Sequence, residues 1–358
     1  MKIATILDEF SELCFSYEAD LVPLRQDNFA NKLKKNPDVA FLFVESAWRG
    51  SGKSWKLSPN VCKPGTATFN NFVRVIKLCK QRNIPCVFWN KEDPVHYKHF
   101  IQLVPYFDYI FTTDIGSKKN YIQDIGHNRV YTLPFAAQPK IHYPNGLENR
   151  TARPCFAGTY WKTLHKKRVC DMNHILLPAL KHGLHIYDRN VITGSGEKWP
   201  QCYAPCMRGG LPYNRLVGMY RDYRVFMNVN CIVDSLTMFS RRVFELLACG
   251  TPVISSYALG IKTLLPEVYL SDNAQTTSKM LLHLLKSTKV WQEASVNGIR
   301  AVYEQHTYTH RFAYICKVLG IPVPEQTTKK LETYKQISEM DPFDYNLARD
   351  LILKTEEK

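Results

Sequence analysis

The 358-residue sequence predicts an α/β protein made of two consecutive doubly wound, Rossmann-like units. Short apolar or β-branched runs alternate with longer amphipathic ones. Runs such as 39–44 have no polar alternation, as expected of parallel strands covered on both faces. The alternation stops at a turn-rich stretch and then restarts.

In order, residues 2–7 read as a strand and 19–36 as a helical pattern ending in Lys32, Lys34 and Lys35. Residues 39–45 are the second apolar strand. Pro64 and Gly65 precede an amphipathic helix over 66–83, with Phe69, Phe72, Val73, Ile76 and Cys79 on one face. Strands at 85–89, 109–113 and 130–135 are separated by helices at 95–107 and 117–125. Pro144, Asn145, Gly146 and Pro154 are turn formers with no apolar period among them, so 144–154 reads as a linker after a domain at 1–143. A second domain over 155–325 repeats the pattern, with strands at 155–159, 185–187, 225–230, 252–255 and 268–270. Its helices fall at 167–182, 213–223, 241–249 and onward from 277. A helical tail, 326–358, is expected to pack back on the N-terminal domain. Two such units place a cleft between the C-terminal edges of two sheets, where ligands bind in open α/β folds.

Composition sets outer bounds. Hydrophobic residues make up 45% and charged residues 22%, which excludes a disordered chain. Lys and Arg total 47 against 32 acids, a formal charge of +15. Residues 1–150 hold 20 basic and 14 acidic side chains, and the remainder 27 and 18, so the excess is no mere tail. Such a field draws polyanions without choosing among nucleotides, nucleic acid, anionic lipid and phosphate-rich polymers. The first residues read as a strand followed by acids, which is not a signal peptide. The eleven scattered cysteines fit free thiols in a reducing cytoplasm. Cys202 and Cys206 resemble half of a zinc site with no second pair.

GSGKS at 50–54 lacks the glycine five positions earlier that a phosphate-cradling loop needs, Ala47 standing there. It reads as a loop after a strand. GSGE at 194–197 reads as part of a long loop. The stretch SRRVFELLACGTPVIS at 240–255 is more informative. Ser240 is placed to cap a helix, and Arg241 and Arg242 fall in its first turn, where the helix dipole disfavours cations. A phosphate at that helix start accounts for them. Glu245, among Val243, Phe244, Leu246 and Leu247, needs a partner such as a ribose diol or an arginine. Gly158 follows the first strand of the second unit, and Lys162, Lys166, Lys167 and Arg168 bring positive charge just after it. In the first unit Asp8, Glu45 and Asp93 come just after strands, with His96 close behind. Each is a candidate general base at a sheet edge, and each also reads as a solvated loop group or helix cap.

FELLACGTPVIS resembles the nucleotide-sugar-binding motif of GT-B glycosyltransferases. Residues 220–250 resemble the CgeB-like, group-1-type subgroup. ILDEFSE (6–12), FVESAWRG (43–50), FWNKEDP (88–94), FTTD (111–114) and LPFAAQP (133–139) extend the likeness over most of 1–270. The resemblance implies a GT-B fold with an acceptor-side N-domain and a donor-side C-domain. It implies that Glu245 holds the donor ribose and that Ser240 and Arg242 lie near the diphosphate. It further implies that Arg168 neutralises the leaving diphosphate in place of a metal, there being no Asp-x-Asp in the chain. Gly158, Thr159, Tyr187 and Asn230, at predicted strand ends, complete the expected donor set. Many retaining members carry a second Glu eight positions before the ribose Glu, where this chain has Thr237.

The expected function is metal-independent, cofactor-free transfer of a sugar from a nucleotide diphosphate sugar to a hydroxyl. The acceptor expected first is a surface polysaccharide, a teichoic-type polymer or a lipid-linked precursor, with a cytoplasmic enzyme touching the inner membrane face. Modified DNA and protein are the other acceptors, and a non-catalytic nucleotide-sugar or nucleic-acid binding protein is the reading outside enzymes.

Overall fold

The computed structural model describes residues 1–162, 166–194, 197–341 and 344–354. The expected basic run at 162–168 and the GSGE loop at 194–197 therefore lie partly outside the described residues. The chain forms two units. Unit 1 is Met1–Phe135 with Tyr308–Thr328, and unit 2 is Ala136–Thr307 with Lys329–Lys358.

Unit 1 is built on six strands: β1 (Lys2–Ile6), β2 (Asp20–Pro23), β3 (Leu42–Glu45), β4 (Cys86–Asn90), β5 (Tyr109–Thr112) and β6 (Val130–Thr132). Their order is β2-β1-β3-β4-β5-β6, and every pairing is parallel. All residues of β3 and β4 are buried, as their unbroken apolar sequence requires. The helix Ala67–Lys80 lays Phe69, Phe72, Val75, Ile76 and Cys79 on the core, and Thr66 caps it by accepting the Phe69 N–H. One expectation fails here. The 19–36 pattern opens with strand β2 on the sheet edge, and only Phe29–Lys35 is helical. Edge pairing with β1 overrides the helical period, and an edge strand tolerates Pro23.

Unit 2 contains β7 (Thr151–Gly158), β8 (His185–Asp188), β9 (Tyr223–Asn228), β10 (Val253–Ser256) and β11 (Tyr269–Ser271). These also pair in parallel, in the order β11-β10-β9-β7-β8. Strand β7 starts at Thr151, inside the expected linker. Its pairing with β9 shifts register between Thr151 and Pro154, which accommodates the proline that suggested a turn.

The C-terminal assignment also differs from expectation. Residues Tyr308–Thr328, not the tail, rejoin unit 1. There Arg311 donates to the carbonyls of Pro134 and Phe135, both at 2.9 Å, and Thr309 donates to Glu18. The tail belongs to unit 2. Tyr334 packs edge-on against Tyr303, and Lys140 Nζ donates to the Ile352 carbonyl at 2.7 Å. Its buried Tyr334, Ile337, Tyr345, Ala348 and Ile352 need an apolar surface, and unit 2 supplies it.

The helix Arg242–Ala248 ends at Gly250, whose φ is +70°. A Cβ there would stand 3.0 Å from Leu147 Cδ2 and 3.1 Å from Ile299 Cδ1. Gly250→Ala is therefore expected to destabilise unit 2 by roughly 1–2 kcal/mol, read as a lower urea midpoint with an unchanged slope.

Candidate active site

The strand orders fix where each unit can hold a ligand. In unit 1 the chain runs from β1 to β2 on one side and returns to β3 on the other. In unit 2 it runs from β7 to β8 and returns to β9. The crevice at such a reversal, beyond the strand C-termini, is where doubly wound sheets bind ligands. Asp8 and Glu45 lie at the reversal in unit 1, and Gly158, Thr159 and Asn230 at that in unit 2.

In unit 1 the four expected bases separate into three environments. Asp8 and Glu45 share one cation, Lys91, whose Nζ is 2.9 Å from Asp8 Oδ2 and 2.8 Å from Glu45 Oε1. Asp8 also accepts the N–H groups of Trp48, Arg49 and Gly50 at 3.1, 2.9 and 2.8 Å. Burial works to raise the Asp8 pKa, but Lys91 and these N–H groups outweigh it and hold the group below its ordinary range. Glu45 is fully buried, and burial pushes its pKa up despite Lys91. Burial alone would discharge Lys91, yet the two carboxylates hold its pKa above normal. The triad thus clamps the 46–55 loop to the sheet edge.

Asp93 is also buried. Its Oδ1 accepts from Asn90 at 2.7 Å, and its Oδ2 accepts from Thr112 at 2.6 Å and Tyr121 at 2.8 Å. Burial raises its pKa to about 7, against the pull of those hydroxyls. His96 is different. It is half-buried and stands edge-on to the Trp48 indole at 5.2 Å. Its Nδ1 makes no hydrogen bond. Burial lowers its pKa, so the ring is neutral at pH 7 and able to accept a proton. Of the four, His96 is the one held neither by an ion pair nor by a set of buried donors, and its Nδ1 is shielded from solvent.

In unit 2 the arginines converge. Arg168 Nη1 donates to the Thr159 carbonyl at 3.0 Å, just past β7. Burial lowers the Arg168 pKa, Cys231 opposes this, and Arg242 adds repulsion. Arg189, just past β8, donates its backbone N–H to the Gly158 carbonyl. Its pKa is lowered by burial and then by Arg241 and Arg242. Arg242 therefore repels both Arg168 and Arg189, and Arg241 repels Arg189. The Nε atoms of Arg168 and Arg242 are buried without a hydrogen-bond partner. The nearby carboxylate is Glu245. It is buried, 3.3 Å from Arg241 Nε, and its Oε2 accepts from Tyr220 at 3.1 Å. Burial and Glu245 together raise the Tyr220 pKa, keeping it a donor.

The other expected donor residues have local roles. Ser240 makes no side-chain capping bond, and the cap position falls on Arg241. Asn230 is buried, and its amide donates to Ser255 Oγ at 3.0 Å and the Ser256 carbonyl at 2.9 Å. Tyr187 shares a hydroxyl contact with Tyr223 at 3.2 Å. A Cβ at Gly158 would come within 2.8 Å of the Phe156 ring, so packing also requires glycine there. Sequence reasoning missed Lys91 and Arg189. Lys91 had a signal, because carboxylates brought to a buried strand edge need a cation.

All eleven cysteines are free thiols. Among the described residues no group of three or more His, Cys, Asp or Glu could hold a metal ion, Cys202 and Cys206 included. Among the same residues no helix is long and apolar enough to cross a membrane.

Residues 168–317 match the family described as glycosyl transferase-like. The chain is similar to HepE (Alr3699) of Anabaena, solved with UDP, at a TM-score of 0.52. Identity is 10%, over 89% of this chain and 91% of that one. It is similar to the same protein with UDP-glucose at a TM-score of 0.51 and 12% identity, over 89% and 99%. A UDP-forming alpha,alpha-trehalose-phosphate synthase from Burkholderia xenovorans matches at a TM-score of 0.49 and 12% identity, over 83% and 77%. No curated protein matches significantly. Fold and family match agree with the resemblance read from the motif at 244–255: the chain has the two-domain GT-B fold, and its residues 168–317 match the glycosyl transferase-like family.

Proposed function

We propose that the chain transfers a sugar from a uridine diphosphate sugar, bound by unit 2, to a hydroxyl of a sugar-bearing acceptor. The acceptor class is a surface polysaccharide, a teichoic-type polymer or a lipid-linked precursor. The observation that carries the donor assignment is the cluster of Arg168, Arg189, Arg241 and Arg242. Mutually repelling, partly desolvated guanidiniums are what a diphosphate neutralises. The similarity to a protein solved with UDP and with UDP-glucose supports uracil as the base. Breaking the bond from the sugar to the diphosphate leaves negative charge on the departing phosphate oxygen. Arg168 and Arg242 stabilise that charge without a metal. His96 of unit 1 takes the acceptor hydroxyl proton. The charge excess outside the arginine cluster, as at Lys32–Lys35 and Lys118–Lys119, supports an acidic polymer or membrane face as the working environment.

The testing experiment is a panel of UDP-, GDP-, ADP- and dTDP-sugars scored by thermal shift and by nucleotide release. A UDP-sugar is expected to raise the melting temperature, as any native-state ligand does. No shift with any member would overturn the reading. Glu245→Ala bears on the ribose assignment. It is expected to weaken UDP binding by roughly ten-fold or more, the loss of one or two charged hydrogen bonds, while unfolding stays cooperative. Unchanged affinity in calorimetry would assign Glu245 to holding Arg241 and Tyr220 alone.

A further inference from the structure

Unit 1 exposes one indole where the other large aromatic side chains around it are buried. Trp48 is 38% exposed, whereas Trp55, Trp89 and Phe100 are buried. The exposure is enforced. The Asp8–Lys91–Glu45 triad fixes the backbone N–H groups of residues 48–50. Gly50 then turns the chain at φ +63°, where a Cβ would strike Trp55 Cβ. Three rings support Trp48: His96 edge-on, Phe100 edge-on at 5.5 Å, and His99 tilted at 6.4 Å. His96 and His99 pack on each other at 4.8 Å. Val95, 60% exposed, continues the apolar surface. The result is an aromatic face edged by two imidazoles.

Local charge narrows what can lie on it. Segments 8–9, 45–53 and 91–99 hold four Lys or Arg against five Asp or Glu, in a chain carrying +15 overall. Lys91 is consumed by Asp8 and Glu45, and Lys53 pairs with Glu9 at 3.1 Å. A phosphate backbone needs a cation surplus to bind, and there is none here. A pyranose needs the opposite: an aromatic plane for its apolar C–H face and polar groups at the rim for its hydroxyls.

We propose that Trp48, His96 and His99 form a sugar-stacking platform that receives a neutral pyranose unit of the acceptor. This rests on the glycosyltransferase reading above and assigns its acceptor subsite. Trp48 is a positioning residue here, and His96 serves both as rim group and as base.

The test uses the full chain and neutral oligosaccharides (maltohexaose, cellohexaose and chitohexaose), with polyphosphate as a charged control. Binding is read by saturation-transfer NMR and tryptophan fluorescence. At least one oligosaccharide is expected to show transfer to its C–H protons. Trp48→Ala is expected to weaken that binding roughly ten-fold or more, and Trp48→Phe to keep part of it. UDP affinity should be the same in all three proteins, which also shows that the variants are folded. If no oligosaccharide binds the unaltered protein, if polyphosphate alone binds this face, or if Trp48→Ala binds within two-fold of it, the platform is wrong. If UDP fails to bind the unaltered protein, the donor reading fails instead, whatever Trp48 does.

Discussion

Lys91→Met is expected to destabilise the protein by about 3–5 kcal/mol, the usual cost of leaving a buried charge without its partner. Methionine keeps the volume of the stem, so the loss comes from the charge and not from a cavity. Two carboxylates would remain at the β1–β3 edge, Glu45 buried and Asp8 partly so. The pH dependence has a definite sign. In the unaltered protein Asp8 is held below its ordinary 3.8 and Lys91 above its ordinary 10.5. Their contribution is present across the range between those values. It is lost as the pH falls through the depressed Asp8 value or rises through the elevated Lys91 value. Without Lys91 both carboxylates shift upward, so the folded state binds more protons than the unfolded one. Stability of the variant then rises as the pH falls through that window. Denaturant melts at pH 8 and pH 5 check this: the deficit should be largest at pH 8 and shrink at pH 5. A deficit independent of pH would mean that Lys91 acts only through packing.

Arg242→Ala is expected to weaken UDP binding by about 10- to 150-fold, from the 1.5–3 kcal/mol of a hydrogen bond to a charged group. Arg168→Ala should act in the same direction. Neither charge is expected to be missed by the free protein. Arg242 lowers the pKa of Arg168 and of Arg189, so removing it relieves repulsion. The melting temperature of free Arg242→Ala should be unchanged or higher, while the stabilisation by UDP is lost. This split separates a ligand site from a structural arginine, whose removal would lower the melting temperature first.

Much of this was legible in the sequence because buried parallel strands advertise themselves. The runs at 42–45 and 86–90 are apolar up to their last residue, so the acids at and after their ends fall at a sheet edge. Strand β2 was hidden because it is four residues long, sits on the edge and contains Pro23. The pairing of Lys91 was hidden for a different reason. Its partners are 83 and 46 residues away, and their meeting follows only from the strand order. Arg189 lies one residue past β8 in a segment that reads as loop, and only its approach to Arg241 and Arg242 distinguishes it. Ser240 and Asn230 show the reverse error. Their residue types suit ligand contact, but Asn230 is taken up by neighbouring strands, and the helix cap position falls one residue after Ser240.

The donor assignment stands or falls with whether a nucleoside diphosphate sits on the arginine cluster of unit 2. The most direct measurement is calorimetric titration of UDP into the unaltered chain and into Arg168→Ala/Arg242→Ala, both in EDTA. Binding to the first is expected to weaken as salt is raised and to need no metal, with binding to the second lost. Equal affinity for both proteins, or binding that appears only when a divalent ion is restored, would contradict that assignment.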